Sequence, residues 1–504
     1  MAVMVAITAR MDILLRESLF GRIVNHVSSN KALPHPAHDL DKSRETQNAA
    51  DSDGEADLSP RNWPAVAKAF ATVGVMLLNF SFYAASAIFT PSIPLIEAEF
   101  GATTSEGTLG LSLFVIAYGI GPLILSPLSN LPSLGRSPVY VVGSLAFCLV
   151  NIGTALAKDV STILGLRFLG GFVGSAPISV GGATLMEMYG PAEVPYAIAF
   201  YAVSGVCGPI LGPIFGTLAV SRWQTWTATL WLLAGITAFT TTYVFFFLPE
   251  TLMSNILYRR SRRNGEYTDG GASSNFVVDV ARQIFDDLKL SFMDPVVLFV
   301  NIHTMLIYGV LYLWFEFFPF VFGGIYHFDA IQQALAFFGI LVGAVISVTA
   351  YLLWLYFIYQ PRVADPDMVV QPEDRLRPGQ AGAVCIPICL FVFAWTSRES
   401  IHWIVPVVGT GFFAPGFYLT FQSILNYLGE SYPRHVASVF AGNTFFRSSF
   451  GGALPLAAPR MLRSLGIGWS SSTLGFISLA LVPLPFILER TPFADQKAIV
   501  STHG

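Results

Sequence analysis

The sequence predicts an all-α integral membrane protein, with twelve transmembrane helices arranged as two six-helix bundles. Three observations predict it. Of 504 residues, 53% are hydrophobic and 12% charged, against roughly 25% charged in ordinary soluble domains, and the mean hydropathy is +0.59. The apolar runs are too long and too many for a soluble core, since crossing hydrocarbon takes about 20 apolar residues. They fall into two sets of six on either side of one polar, basic segment, the layout of many transporters built from paired halves. A net charge of -4 leaves no electrostatic footprint for nucleic acid.

Each element follows in chain order. Residues 1–61 are polar and charge-mixed and are expected to form a cytoplasmic, largely disordered tail with one amphipathic turn near Ile13–Leu15. The apolar start is broken at once by Arg10, Asp12, Arg16 and Glu17, which argues against a signal peptide. Residues 62–250 form the N-terminal six-helix bundle, with spans near 66–90, 105–129, 138–157, 162–189, 196–220 and 224–248. Residues 251–294, carrying Arg259, Arg260, Arg262 and Arg263, form a cytoplasmic basic linker that touches anionic lipid. Residues 295–490 form the C-terminal bundle, with spans near 295–322, 331–358, 380–397, 400–427, 436–457 and 471–489, and 491–504 a cytoplasmic tail. With the N-terminus inside, the inside segments hold 21 of the 28 Lys and Arg and the outside ones five; this bias places both termini in the cytoplasm.

Span 5 reads Gly205-Val206-Cys207-Gly208-Pro209-Ile210-Leu211-Gly212-Pro213-Ile214-Phe215-Gly216. Glycines four apart let another helix approach closely, and two prolines bend the helix. It is expected to form the interface on which the two halves rock. The segment joining spans 2 and 3 contains Gly121, Asn130, Gly135 and Arg136 about a tight turn, with Glu187 at the inner end of span 4 within reach of Arg136. A charge inside the bilayer is a functional candidate by default, and three stand out. Arg167 opens span 4, where it either snorkels or serves proton coupling. Glu316, the one clear carboxylate in an apolar span, is a group on which a proton can ride, or else an ion-pair partner of Arg167. Arg447 sits mid-span in span 11, where snorkelling is hard, and points to a cavity-facing role. Tyr308, Tyr312 and Trp314 flank Glu316 and are candidates for a substrate cavity suited to flat or cationic molecules, or for plain packing. His303 and His402, near span ends, read as satisfied surface or interface histidines.

Together these segments resemble the major facilitator superfamily, and within it the fungal twelve-span drug:proton antiporters of the polyamine, drug and mycotoxin exporter branch. The resemblance rests on the Gly-Pro pairs of span 5, which look like the motif marking antiporters, on Gly121–Tyr140, and on Asn62-Trp63-Pro64, Pro249-Glu250-Thr251, Pro372-Glu373-Asp374-Arg375-Leu376 and Asn426-Tyr427-Leu428. The loop departs from the pattern. Asn130 replaces an acidic residue, Ser137 replaces the second arginine, and the turn is two residues longer. The family's acidic residue latches one conformation, so Arg136 is left with fewer partners.

The resemblance implies the major facilitator fold and a proton-coupled antiporter that exports drugs, polyamines or fungal secondary metabolites, with Arg167 at the position of the family's span-4 arginine linked to proton coupling; Glu316, read from its place in an apolar span, is the expected proton carrier. It also implies a monomer among membrane lipids. No Walker-type, His-Glu-x-x-His or Gly-x-Ser-x-Gly motif is present. The chain is therefore expected not to be an enzyme, and to use no metal or cofactor beyond a proton gradient. A nutrient facilitator or importer on the same fold, and a non-transporting receptor, stay open. The plasma membrane is the expected location, with a vacuolar membrane as the alternative.

Overall fold

Long apolar segments in hydrocarbon must satisfy every backbone amide within themselves, which leaves the helix as the default solution. The computed structural model describes residues 17–27, 59–263, 276–365, 371–432 and 436–490, and among these the only β-type pairing is one isolated bridge between Ser18 and Pro249. Six apolar helices come first, Ala65–Phe100, Thr104–Ser129, Arg136–Ala155, Val160–Met188, Val194–Trp223 and Thr227–Phe247. Four more follow, Pro295–Ile325, Ala330–Val363, Pro372–Thr396 and Ile404–Ser431. They are numbered spans 1 to 10. The last apolar helix, Val439–Arg490, has 52 residues, which at 1.5 Å per residue is more than twice the thickness of hydrocarbon.

That last helix is folded back on itself. Gly466 adopts φ 69°, ψ 175°, a conformation open to glycine at no steric cost. Ser470 Oγ donates to the Met461 carbonyl at 3.0 Å, although nine residues of straight helix would separate them by about 13 Å. Two arms, residues 439–465 and 467–490, are each long enough to cross. Among the described residues the apolar helices number eleven; a count of twelve takes the two arms as separate crossings.

Side-chain caps define where helices begin. Thr103 and Glu106 form a capping box at span 2, and Asp159 accepts from Thr162 N–H at 2.8 Å at span 4. These bonds hold the exposed Asp159 carboxyl below its usual range. Asp294 accepts from Val296 and Val297 N–H at span 7, and Asp329 boxes with Gln332 at span 8. Each cap supplies acceptors for orphan N–H groups and contributes about 1 kcal/mol.

Two expectations change at the end bearing Arg136 and Arg259. The turn expected near Ile13–Leu15 lies outside the described residues, but Leu19–Val27 is a helix docked on the bundle. Phe20 packs on Phe246 and Phe245, with ring centroids 4.8 and 5.9 Å apart. Arg22 reaches Glu250 at 3.0 Å, and Glu17 pairs with Arg259 at 3.2 Å. The polar, charge-mixed composition of the tail hid this because the ordered stretch is short and its partners lie more than 200 residues away. The linker likewise contains two helices, Met253–Arg263 and Phe276–Met293.

Candidate transport site

The site forms where the two halves meet. Tyr83 on span 1, Tyr308 on span 7, Phe421 on span 10 and Arg447 on the first arm converge between the two halves. Arg447 Nη2 donates to Tyr83 Oη at 2.9 Å and to Thr444 Oγ1 at 3.4 Å. Its guanidinium lies over Tyr308 at 4.7 Å and Phe421 at 5.0 Å. Arg447 is 2% exposed, and its Nε has no hydrogen-bond partner. It faces a cavity of about 40 Å3 lined also by Asn79, Tyr201 and Asn443, room for roughly three waters. Pockets for drug-sized ligands measure about 300–1,000 Å3, so this is a closed form that must open to admit one.

On the side of the cavity away from Arg136, a layer of tyrosines seals the halves together. Tyr118 on span 2 donates to Tyr308 Oη at 2.8 Å and shares a hydrogen bond with Tyr312 at 2.9 Å. Tyr312 shares another with Ser86 of span 1 at 2.8 Å. One helical turn further along span 7, Glu316 Oε1 accepts from Thr108 Oγ1 of span 2 at 3.2 Å. Glu316 thus bonds across the halves, and Glu97 is another carboxylate whose field reaches it.

Of the expected cavity residues, the structure brings Arg447 and Tyr308 to the cavity and sets Tyr312 in the sealing layer beside it. Trp314 belongs elsewhere: it points into the core of the C-terminal half, packed on Phe413 at 4.6 Å and Phe318 at 5.7 Å. Two residues along a helix turn a side chain by about 200°, so Trp314 cannot share the face of Tyr312.

Arg167 is not joined to Glu316. Its Nε and Nη1 donate to the carbonyls of Gly110 (3.0 Å) and Ala85 (3.1 Å), and its guanidinium is held between Phe89 at 4.6 Å and Phe114 at 4.2 Å. It ties spans 1, 2 and 4 of one half together through carbonyls and ring faces, with Nη2 unpartnered. His303 is also not at a surface; it is 4% exposed with neither ring nitrogen hydrogen-bonded.

The span 5 glycines do not face the other half. A Cβ at Gly208, Gly212 or Gly216 would meet span 1: Tyr83 Cβ at 2.6 Å, the Ala84 carbonyl at 2.9 Å and the Ile88 carbonyl at 2.5 Å. Gly205 faces Asn79 and Tyr83 of the same span, and Pro209 and Pro213 are buried in the same helix. Span 5 still borders the other half through different residues: Tyr196 Oη donates to Gln360 at 2.7 Å, and the Ala199 carbonyl accepts from Tyr418 at 3.0 Å. The tightest crossing between halves joins span 2 to the first arm. There a Cβ at Gly119 would sit 2.8 Å from Ser448 Cβ, and one at Gly452 would sit 2.8 Å from the Ser112 carbonyl.

The turn between spans 2 and 3 keeps its charge partners despite its altered residues. Arg136 pairs with Glu187 at 2.8 Å and donates to Asn130 Oδ1 at 3.4 Å and Thr184 at 3.3 Å. Gly135 has φ +82°, and a Cβ there would strike the Glu250 carboxylate at 2.3 Å. Gly121 lets span 2 approach span 4, where a Cβ would meet Ser175 Oγ at 2.1 Å. Glu250 is the residue the sequence reading missed. Its carboxylate accepts from the N–H groups of Arg136, Ser137 and Leu252 at 2.9, 3.3 and 3.1 Å and from Arg22. It places a negative charge on the positive end of span 3.

Comparison with known proteins gives the arrangement its context. The model of the Major Facilitator Superfamily matches residues 75–456. The chain is similar to Transporter mfs1 of Schizosaccharomyces pombe, at 39% identity over 94% of this chain and 97% of the relative. It is similar to Fluconazole resistance protein 1 of Saccharomyces cerevisiae, at 35% identity over 86% of this chain and 81% of the relative. Among solved structures, the human organic anion transporter MFSD10 (TETRAN) superposes with a TM-score of 0.62 at 16% identity, covering 84% of this chain and all of that one. At that identity the likeness shows the fold alone.

Proposed function

The chain belongs to the major facilitator superfamily, and from that premise we propose that it exports small organic compounds in exchange for protons. The observation that carries the proposal is the Thr108–Glu316 bond between the halves. Closing the halves over an ionised carboxylate takes it out of water at a cost; closing them over a protonated one does not. Glu316, half-buried and one turn outside the tyrosine layer, therefore takes a proton from outside water when its bond to Thr108 opens, and lets the halves close again. Cargo enters the cavity beside Arg447 from the other side. The name of the fluconazole-resistance relative supports the direction of flux. The Lys and Arg bias supports both termini in the cytoplasm, which puts the Arg136 end inside and Glu316 toward the outside. The plasma membrane and a monomeric state complete the reading.

The test is efflux from cells expressing the chain, with and without a protonophore, over a panel of drugs and polyketide-like compounds. Loss of efflux when the proton gradient collapses is the expected result. Efflux indifferent to the gradient, or uptake in its place, overturns the reading.

A further inference from the structure

We propose that the cargo is an organic acid: an apolar, aromatic or conjugated body carrying a carboxylate, enolate or phenolate that binds Arg447. This rests on the reading of the Arg447 cavity as the cargo site. The argument is an inventory of donors, acceptors and charge. No carboxylate lines the cavity, and its one charged group is Arg447. No ion pair among the described residues involves Arg447, although it is 2% exposed.

The other polar groups are already engaged with protein. Asn79 donates to Ser204 at 2.9 Å and accepts from Tyr201 at 3.1 Å. Asn443 donates to Asn301 at 3.0 Å and to Thr304 at 2.8 Å. Tyr83 accepts from Arg447. What remains open is chiefly donor capacity, on the guanidinium and on the Tyr83 hydroxyl, with Asn443 Oδ1 the one amide acceptor beside them. The guanidinium's two bonds both leave from Nη2, and Nε has no partner. A guanidinium has five N–H donors and no acceptor, and its fork matches a carboxylate.

The same geometry disfavours cations. An ammonium entering the cavity finds a fixed positive charge and no acid. Two of the cavity's rings, Tyr308 and Phe421, already carry the guanidinium on their faces. Polyamines, which the family resemblance puts among the expected cargo, therefore fit this site poorly. The apolar part of the cargo has Phe417, Phe421 and Phe440 to pack on.

The test uses the purified full-length chain in nanodiscs of zwitterionic lipid, and isothermal titration at pH 7 with three probes of one shape: 2-naphthylacetate, 2-naphthylacetamide and 2-(2-naphthyl)ethylammonium. The carboxylate is expected to bind at least about tenfold tighter than the ammonium, the scale of one charge-assisted hydrogen bond in a desolvated site. Arg447→Lys keeps the order with weaker binding, and Arg447→Gln removes it. Asn443→Asp, which adds an acid of the same shape in exchange for the two N–H donations to Asn301 and Thr304, raises ammonium affinity and lowers that of the carboxylate; it keeps the test open if Arg447→Gln does not fold. The proposal is overturned if the ammonium binds as well as the carboxylate, if the carboxylate does not bind saturably, or if Arg447→Gln leaves the preference intact. Binding needs no gradient, so a flux indifferent to protonophore defeats proton coupling and leaves this result standing.

Discussion

Glu316 and Arg167 are both membrane charges, and their surroundings separate their roles. Glu316 binds across the halves to a single hydroxyl, so its bond breaks whenever the halves part. Arg167 binds within one half to two carbonyls and two ring faces, so its contacts survive that motion. Glu316→Gln keeps size and hydrogen bonding but cannot release a proton. It is expected to lower pH-driven efflux in vesicles at least tenfold while the melting temperature of the purified protein stays near that of the native chain; normal efflux by this variant removes Glu316 from the mechanism. Arg167→Gln, in contrast, gives up two charge-assisted bonds to carbonyls and two ring contacts and is expected to destabilise by about 1–3 kcal/mol, read as a lower melting temperature. The sequence displayed all three membrane charges because an ionised side chain in an apolar run is conspicuous. It did not display their partners. Tyr83 lies 364 residues from Arg447, and no local pattern encodes that encounter.

Among the elements, span 5 shows how a correct motif acquires a wrong neighbour. Spacing by four fixes that Gly208, Gly212 and Gly216 share a face, and the face is indeed where another backbone comes close. Which backbone is a tertiary fact, and it is span 1 of the same half. The stripe therefore builds the half instead of its moving boundary. Gly212→Val or Gly216→Val is expected to cost about 1–3 kcal/mol or more, as overpacking against backbone does, and to be read as lost expression and a lower melting temperature. A variant that folds normally but transports slowly would return the stripe to a gating role. Glu250 is the converse case, an anchor that the sequence shows only as part of the Pro249-Glu250-Thr251 segment. Its carboxylate holds the start of span 3 and the Leu19–Val27 helix at once. Glu250→Ala is expected to free that helix, so that limited proteolysis near Arg22 speeds up by an order of magnitude or more, in line with a lost buried charge-assisted bond of about 1.5–3 kcal/mol.

For the whole molecule, the architecture of paired bundles was legible because length and apolarity are local properties that hydrocarbon enforces residue by residue. The conformational state was not, since it depends on which faces of two bundles happen to touch. Here they touch through Glu316, the tyrosine layer and the Gly119–Ser448 crossing, and the cavity beyond holds only about 40 Å3. If transport requires this seal to open, fixing it shut must stop transport. Gly119→Cys with Ser448→Cys places two thiols at that crossing. The Cβ separation of 2.8 Å is within about 1 Å of the 3.5–4.5 Å a disulfide needs, so a small parting of the helices suffices to form it. The four native cysteines, Cys148, Cys207, Cys385 and Cys389, are free thiols and are replaced first. Oxidation is expected to abolish efflux and reductant to restore it, with each single cysteine variant unaffected by either treatment. Full flux through the cross-linked protein, with the bond verified by mass spectrometry, would mean that spans 2 and 11 do not separate during the cycle, and the motion would then have to lie within one half.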